Sequence, residues 1–330
     1  VWGFAMRRSF AFLCSWVLGC HARLAAQAQQ RPQPAASSVA GDSLLRRFDA
    51  DGDGKISDAE RQAVREKMRQ MRTKPGAMTP SGKTETIGNR DVTEMEYASS
   101  DGRMIPCVLS MPKGDGPFPC VVTVHGGQGD RDLGYLRTMA APNHLSPTVT
   151  ALNEQPWAIL AISYRSGGLF GLEQDDVVAG IRFAKTVPKI DASRVGVLGG
   201  SHGGHLALRA AQLMGDEFLC AAVGSPWMTD PFVYMTGRAD EPPLSQIPAE
   251  ARKGIMENGR RLCSGLRLRA GSDAEARRIM REHSLEANAD KIVIPTLFIT
   301  SRGDDQAPHV LIEPMIKRMQ AAEKDVTVYT

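Results

Sequence analysis

Several things are scarce in this sequence, and each scarcity excludes a class of protein. Charge of one sign is scarce: 40 Lys and Arg stand against 37 Asp and Glu, a formal net charge of +3 over 330 residues. Arg7, Arg8 and Arg23 near the start carry part of that excess. The rest is close to neutral, which argues against nucleic acid or an anionic membrane surface as a partner. Long apolar runs are also absent, because the stretch at 9–19 is too short to span a bilayer. Cysteine is sparse, with Cys14 and Cys20 near the start and Cys107, Cys120, Cys220 and Cys263 beyond. Those four are too scattered for a zinc site, and no internal repeat is visible. What is present is ordinary for a soluble globular protein, 42% hydrophobic and 23% charged. The length suits one large domain with a small appendage.

The first 28 residues read as a removable leader. Met6 is followed by Arg7-Arg8, an apolar run, and small residues at Ala25, Ala26 and Ala28, which is the layout of an export signal. Val17-Leu18-Gly19-Cys20 also resembles a lipobox, which would anchor the chain to membrane through lipidated Cys20; ordinary cleavage near Ala28 is the favoured reading. Either route places the protein outside the cytoplasm, in the periplasm or beyond. Residues 29–42 belong to a stretch rich in Gln, Pro, Ala and Ser, the composition of a flexible linker.

Residues 43–73 form the appendage. Asp49, Asp51 and Asp53 are followed by Gly54, Lys55, Ile56, Ser57 and Glu60. That spacing meets the demands of an EF-hand calcium loop. The three aspartates supply oxygens, Gly54 allows the sharp turn, Lys55 offers its carbonyl, Ser57 acts through water, and Glu60 binds bidentately. Leu44, Leu45 and Phe48 on one side and Val64, Met68 and Met71 on the other give the flanking helices apolar faces. Ca2+ is therefore the expected ion, in a structural or tethering role, and no cofactor is expected for catalysis.

Residues 74–90 are rich in Pro, Gly, Ser and Thr and read as a second linker. From Asp91 onward, short apolar β runs alternate with helical stretches. Strands are expected at 104–111, 118–124, 157–164, 195–198, 219–223, 296–300 and 326–329, and helices at 173–186 and 203–214. Such alternation means an α/β domain with a mainly parallel sheet covered on both faces. Lys113-Gly114-Asp115-Gly116 is read as a turn joining two neighbouring strands. Cys107 and Cys120 flank it, either as a cross-strand disulfide or, the favoured reading, as buried inert thiols.

The densest motif is Gly199-Gly200-Ser201-His202-Gly203-Gly204, set between a strand and a helix. It contains G-x-S-x-G, in which a nucleophilic serine occupies a strained turn and glycines keep side chains off the neighbouring backbone. His125-Gly126-Gly127 follows an earlier strand, where the amides of Gly127 and His202 would form an oxyanion hole. Ser163-Tyr164-Arg165 closes another strand as a polar turn. Asp304 and Asp305 lie on a loop after the strand at 296–300, well downstream of the serine. The order suits a nucleophile followed by an acid.

On His125-Gly126-Gly127, Tyr164-Arg165, Asp191 to Val197, Gly199 to Gly204 and Ile292 to Pro308, residues 91–330 resemble the prolyl-oligopeptidase catalytic domain and the dienelactone-hydrolase-like branch of the α/β-hydrolases. The resemblance implies an α/β-hydrolase fold, a Ser-His-Asp serine hydrolase and an acyl-enzyme. It aligns Asp304, four residues before Pro308, with the triad acid. Dienelactone hydrolases proper use a cysteine where Ser201 stands. Prolyl oligopeptidases place a long β-propeller ahead of the hydrolase domain, and too few residues lie between the leader and Asp91 to hold one. Cleavage of carboxylic esters is thus the primary expectation and peptide cleavage the second. A calcium-binding scaffold with an inactive hydrolase fold is the reading from another class. The insertion at about 225–290 is expected as a cap, its Pro226, Trp227, Met228, Phe232, Tyr234 and Met235 lining a substrate pocket or packing the cap onto the sheet.

The triad also needs a histidine after the acid. His309 lies too close to Asp304 in sequence, His202 and His205 belong to the elbow, His125 to the oxyanion loop, and His144 and His283 match no family position. The histidine is accordingly expected beyond residue 330, and the chain without it is expected to be a poor catalyst. A prediction concerns the appendage. The protein should release heat on titration with calcium, and Glu60→Gln should weaken binding severely by removing the bidentate carboxylate. No heat above background at millimolar calcium would contradict the EF-hand.

Overall fold

The computed structural model describes Ser57, Ala59 and residues 81–142, 146–166 and 169–330. The expected leader, the first linker and the calcium ligands Asp49, Asp51, Asp53, Lys55 and Glu60 lie outside the described residues, as does His144; Ser57 is described and exposed. The chain divides into two units, Val1–Gly76 and Ala77–Thr330, and the sheet belongs to the second.

A polar hairpin opens that unit. β1 (Thr84–Ile87) and β2 (Arg90–Ala98) are joined through Gly88-Asn89, with Gly88 at a φ of +60° that suits a two-residue turn. β2 runs antiparallel to β3 (Met104–Pro112), which runs antiparallel to β5 (Ala158–Ile162). From β5 the sheet becomes parallel through β4 (Phe118–Val124), β6 (Ile190–Gly200), β7 (Cys220–Gly224), β8 (Thr296–Ile299) and β9 (Val326–Tyr329). The described sheet has nine strands in the order β1-β2-β3-β5-β4-β6-β7-β8-β9.

Alternation along β5 shows how the layers form. Leu160 and Ile162 enter one apolar cluster with Val177 and Ile181 of α3 (Glu173–Ala184), Leu206 and Ala210 of α4 (His202–Met214), and Ile312 and Met315 of α8 (His309–Ala321). Ile159 and Ala161 enter another with Leu133 and Leu136 of α1 (Leu133–Ala140) and Leu152 of α2 (Pro147–Asn153). Successive strand side chains point to opposite faces, so helices cover both sides. All five β5 residues are buried as a result, which is why the strand reads as an unbroken apolar run.

Between β7 and β8 lie α5 (Pro231–Thr236), α6 (Ala249–Ala270) and α7 (Asp273–His283). This insertion has its own core, in which Met228, Tyr234, Ile255, Met256, Cys263 and Met280 pack with Leu169 and Phe170. Most of its aromatic and methionine content is therefore spent on cap packing.

Three expectations need correction. The second linker is expected to reach residue 90, but Thr84–Ile87 already pairs in the sheet; its Thr-rich composition belongs to an exposed edge strand. The turn at 113–116 does not close a hairpin, because β5 inserts between β3 and β4. Cys107 pairs opposite Ile162 and Cys120 opposite Ala158, on either side of β5. Both thiols are free and buried, with burial pushing Cys120 up to about 12, so the disulfide alternative is excluded.

Arg90, at the start of β2, is 1% exposed. Its guanidinium donates to Ser110 Oγ at 2.8 Å and to the carbonyl oxygens of Ser110, Asn153, Gln155 and Trp157. One cation thereby ties the antiparallel edge to the connection leading into β5. Arg90→Ala should lower unfolding free energy by about 3 kcal/mol, because it strands several buried carbonyls. Urea denaturation measures this, and a loss below about 1 kcal/mol would contradict the role.

Candidate active site

Ser201 links β6 to α4 at φ 53° and ψ −118°. Such a conformation costs a non-glycine residue about 1–3 kcal/mol and persists only where its surroundings enforce it. Three hydrogen bonds enforce it. The Ser201 amide donates to Gly224 O at 2.8 Å, while Trp227 and His205 amides donate to Ser201 O at 3.1 and 3.0 Å. The flanking glycines are required by contact. A Cβ on Gly199 would stand 2.3 Å from Gly203 O, and one on Gly203 would stand 2.2 Å from Val124 O.

The loop after β4 lies against this turn. A Cβ on Gly126 would be 3.3 Å from Ser201 Cβ and 3.0 Å from Gly200 O. His202 Nδ1 lies 2.8 Å from Gly127 O, and since a carbonyl can only accept, that nitrogen carries the ring proton. The structure therefore brings together Gly127, Ser201 and His202, three of the residues selected from sequence. Among the described residues the main-chain N–H groups of Gly127 and His202 have no acceptor, so both remain available as donors.

Tyr164 secures the loop, a role that its place in a polar turn does not reveal in sequence. Its hydroxyl lies 3.0 Å from both His125 O and Gly127 O, and its ring stacks on His125 at 4.2 Å between centroids. The Asp130 amide donates to Tyr164 O at 2.6 Å and the Arg131 amide to Ser163 Oγ at 3.0 Å. Arg165 holds the turn itself, with its Nη2 2.7 Å from fully buried Asp176 and its Nη1 2.6 Å from Asp101.

Asp304 stands on the loop after β8. Its Oδ1 accepts from the Gln306 and Ala307 amides at 2.8 and 2.9 Å, so the described hydrogen bonds of its side chain stay within its own loop. His309 Nδ1 bonds Thr300 Oγ1 at 2.8 Å. Among the described residues no imidazole hydrogen-bonds to Ser201 or Asp304.

Strand order, the strained serine and the two-sided helical covering define the class: this chain has the α/β-hydrolase fold. The family model BD-FAE matches residues 108–226, which include both the loop after β4 and the turn at Ser201. Dipeptidyl aminopeptidase BIII of Pseudoxanthomonas mexicana is 24% identical over 260 residues, 71% of this chain and 33% of that protein. Acylamino-acid-releasing enzyme 1 of Oryza sativa subsp. japonica is 27% identical over 170 residues, 47% of this chain and 20% of that protein. The chain thus spans a third or less of the length of these curated relatives. Among solved structures, an acetyl xylan esterase from Paenibacillus sp. R4 superposes with a TM-score of 0.54 at 20% identity, covering 81% of this chain and 87% of that one.

Four imidazoles surround the elbow and the start of the cap. Burial, the largest cause in each case, pushes His125 and His205 down to about 3 and His283 to about 4, and it lowers His202. In the unfolded chain each would titrate near 6.5. Below that pH the unfolded state binds protons that the folded state refuses, so stability is lost as the pH falls. Each of the three most shifted groups can contribute up to about 1.4 kcal/mol per pH unit. Unfolding free energy should therefore drop steeply between about pH 6.5 and 4. His205→Asn, which keeps a donor for Trp227 O, should flatten the slope by about one proton. An unchanged slope would contradict the neutral assignment.

Proposed function

We propose that the chain is a serine hydrolase that cleaves carboxylic esters through an acyl-enzyme on Ser201. The single observation that carries this reading is the enforced positive φ of Ser201, at the end of a parallel strand and under the loop of Gly126 and Gly127. Such strain is retained where it aims a side chain. In this reading Ser201 Oγ attacks the substrate carbonyl carbon as a histidine takes its proton. The carbonyl π electrons move onto oxygen, where the amides of Gly127 and His202 and the N-terminal end of α4 stabilise the negative charge. Collapse of the tetrahedral intermediate expels the alcohol, which receives the proton, and water then repeats the sequence to release the acid. Asp304 orients that histidine.

Peptide cleavage by the same residues is the second reading, favoured by the relative named as a dipeptidyl aminopeptidase. Calcium at Asp49, Asp51, Asp53, Lys55 and Glu60, and export by the leader, are parts of the proposal that rest on sequence motifs.

The test uses the full-length protein with short p-nitrophenyl esters and aminoacyl-p-nitroanilides. Ester turnover should exceed anilide turnover. Ser201→Ala should abolish it by at least about 10³-fold with an unchanged thermal midpoint. Near-full turnover in the variant would overturn the site, and a clear anilide preference would replace esterase by peptidase.

A further inference from the structure

Beside the loop after β4 stands a guanidinium that has no ion-pair partner among the described residues. Arg131 lies between the loop and α1, with its Cζ 5.0 Å from the centre of the Tyr135 ring. Its Nη2 is 2.8 Å from where a Cβ on Gly127 would be, so it lies along the backbone of a candidate oxyanion residue. Its Nε is buried and has no hydrogen-bond partner. Among the described residues the side chain makes no ion pair.

The two carboxylates adjacent to it in sequence are committed elsewhere. Asp130 pairs with Arg103 at 2.8 Å and accepts from the Ser166 amide at 3.0 Å. Asp132 caps α1 by accepting from the Tyr135 amide at 2.9 Å. Other arginines on this side of the domain have acidic partners, as Arg137 has Glu94 and Arg165 has Asp101 and Asp176. A guanidinium stays charged at all working pH values, and its five donors form a fork that matches a carboxylate. The face of Tyr135 steadies the cation but leaves the in-plane donors unused. Gly127 beside it is exposed, so a ligand can approach from solvent.

We propose that Arg131 is a specificity residue that receives a carboxylate on the substrate, so that the Ser201 site takes half-esters of dicarboxylic acids in preference to neutral esters. The inference rests on the hydrolase reading, which it deepens by naming the substrate class. The carboxylate would lie near the scissile carbonyl, because Arg131 runs along the same loop that faces Ser201. The arginine orients substrate and takes no part in proton transfer.

Binding separates this proposal from the chemistry. In full-length Ser201→Ala protein, isothermal titration would compare monomethyl succinate with dimethyl succinate, a charged and a neutral ester of the same acid. The monoanion should bind at least about tenfold tighter, a ratio consistent with a charge-assisted bidentate contact. With Arg131→Gln added, that ratio should fall to within about twofold of one. Arg131→Lys, which keeps the charge but not the fork, should give an intermediate ratio and serves as the second variant should the glutamine form fold poorly. Equal binding of the two esters, no binding of either, or a preference that survives Arg131→Gln would overturn the proposal. Failure of the hydrolase reading would look different: the monoanion would bind through Arg131, yet protein with Ser201 intact would not turn over any ester.

Discussion

Carbonyl oxygens of Val124 and Gly203 approach the chain on either side of Ser201 so closely that only hydrogen fits at positions 203 and 199. This crowding lets β6 run directly into α4 with one residue at positive φ between them. The site depends on it. The turn raises Ser201 out of the sheet, sets His202 at the first position of the helix, and brings Gly126 into van der Waals range of the serine. Hydrogen bonds from Ser201 to Gly224 O and from Trp227 to Ser201 O connect the turn to the end of β7 and the beginning of the cap. The strain of one residue is thus held by three neighbouring segments that are each part of the core or anchored to it.

The second support comes from the other side. Tyr164 is 1% exposed, stacks on His125 and reaches two carbonyls of the loop, while Arg165 is clamped by Asp101 and Asp176. With its carbonyl held by Tyr164 and His202, Gly127 keeps an amide that has no acceptor among the described residues, as the proposed oxyanion site requires. The imidazoles beside it are kept neutral by burial. The positive contributions near Ser201 therefore come from fixed amides, the end of α4 and Arg131, rather than from protonated histidine.

Most of the parallel sheet was legible in sequence because its inner strands are buried on both faces and are largely apolar; β4 falls at the residues the apolar run marks. The elbow was legible because its steric demand is written into glycine spacing. β1 was not, since its residues are largely exposed and Thr84–Ile87 resembles a linker. The 22-residue α6 escaped notice because most of its surface is charged and only a narrow stripe, including Ile255, Cys263 and Leu266, is buried. The order of β3, β5 and β4 could not be read either: a short turn suggests neighbours, and only the crossover decides that β5 intervenes. At the site, contacts across long sequence gaps, such as Tyr164 to Gly127 or Arg165 to Asp101, leave no periodic trace. Asp304 lies on the loop after β8 and bonds within that loop, and any partner beyond it is a matter of tertiary contact that spacing does not encode.

In the proposed function the hydroxyl of Ser201 is a nucleophile, and the most direct test of that is covalent. Full-length protein would be treated with a fluorophosphonate, digested, and mapped by peptide mass spectrometry. A single adduct is expected on the peptide carrying Ser201, absent when the protein is unfolded before exposure, because an ordinary serine hydroxyl does not displace fluoride. An unlabelled Ser201 in folded protein, or labelling spread over other serines to the same extent, would contradict it.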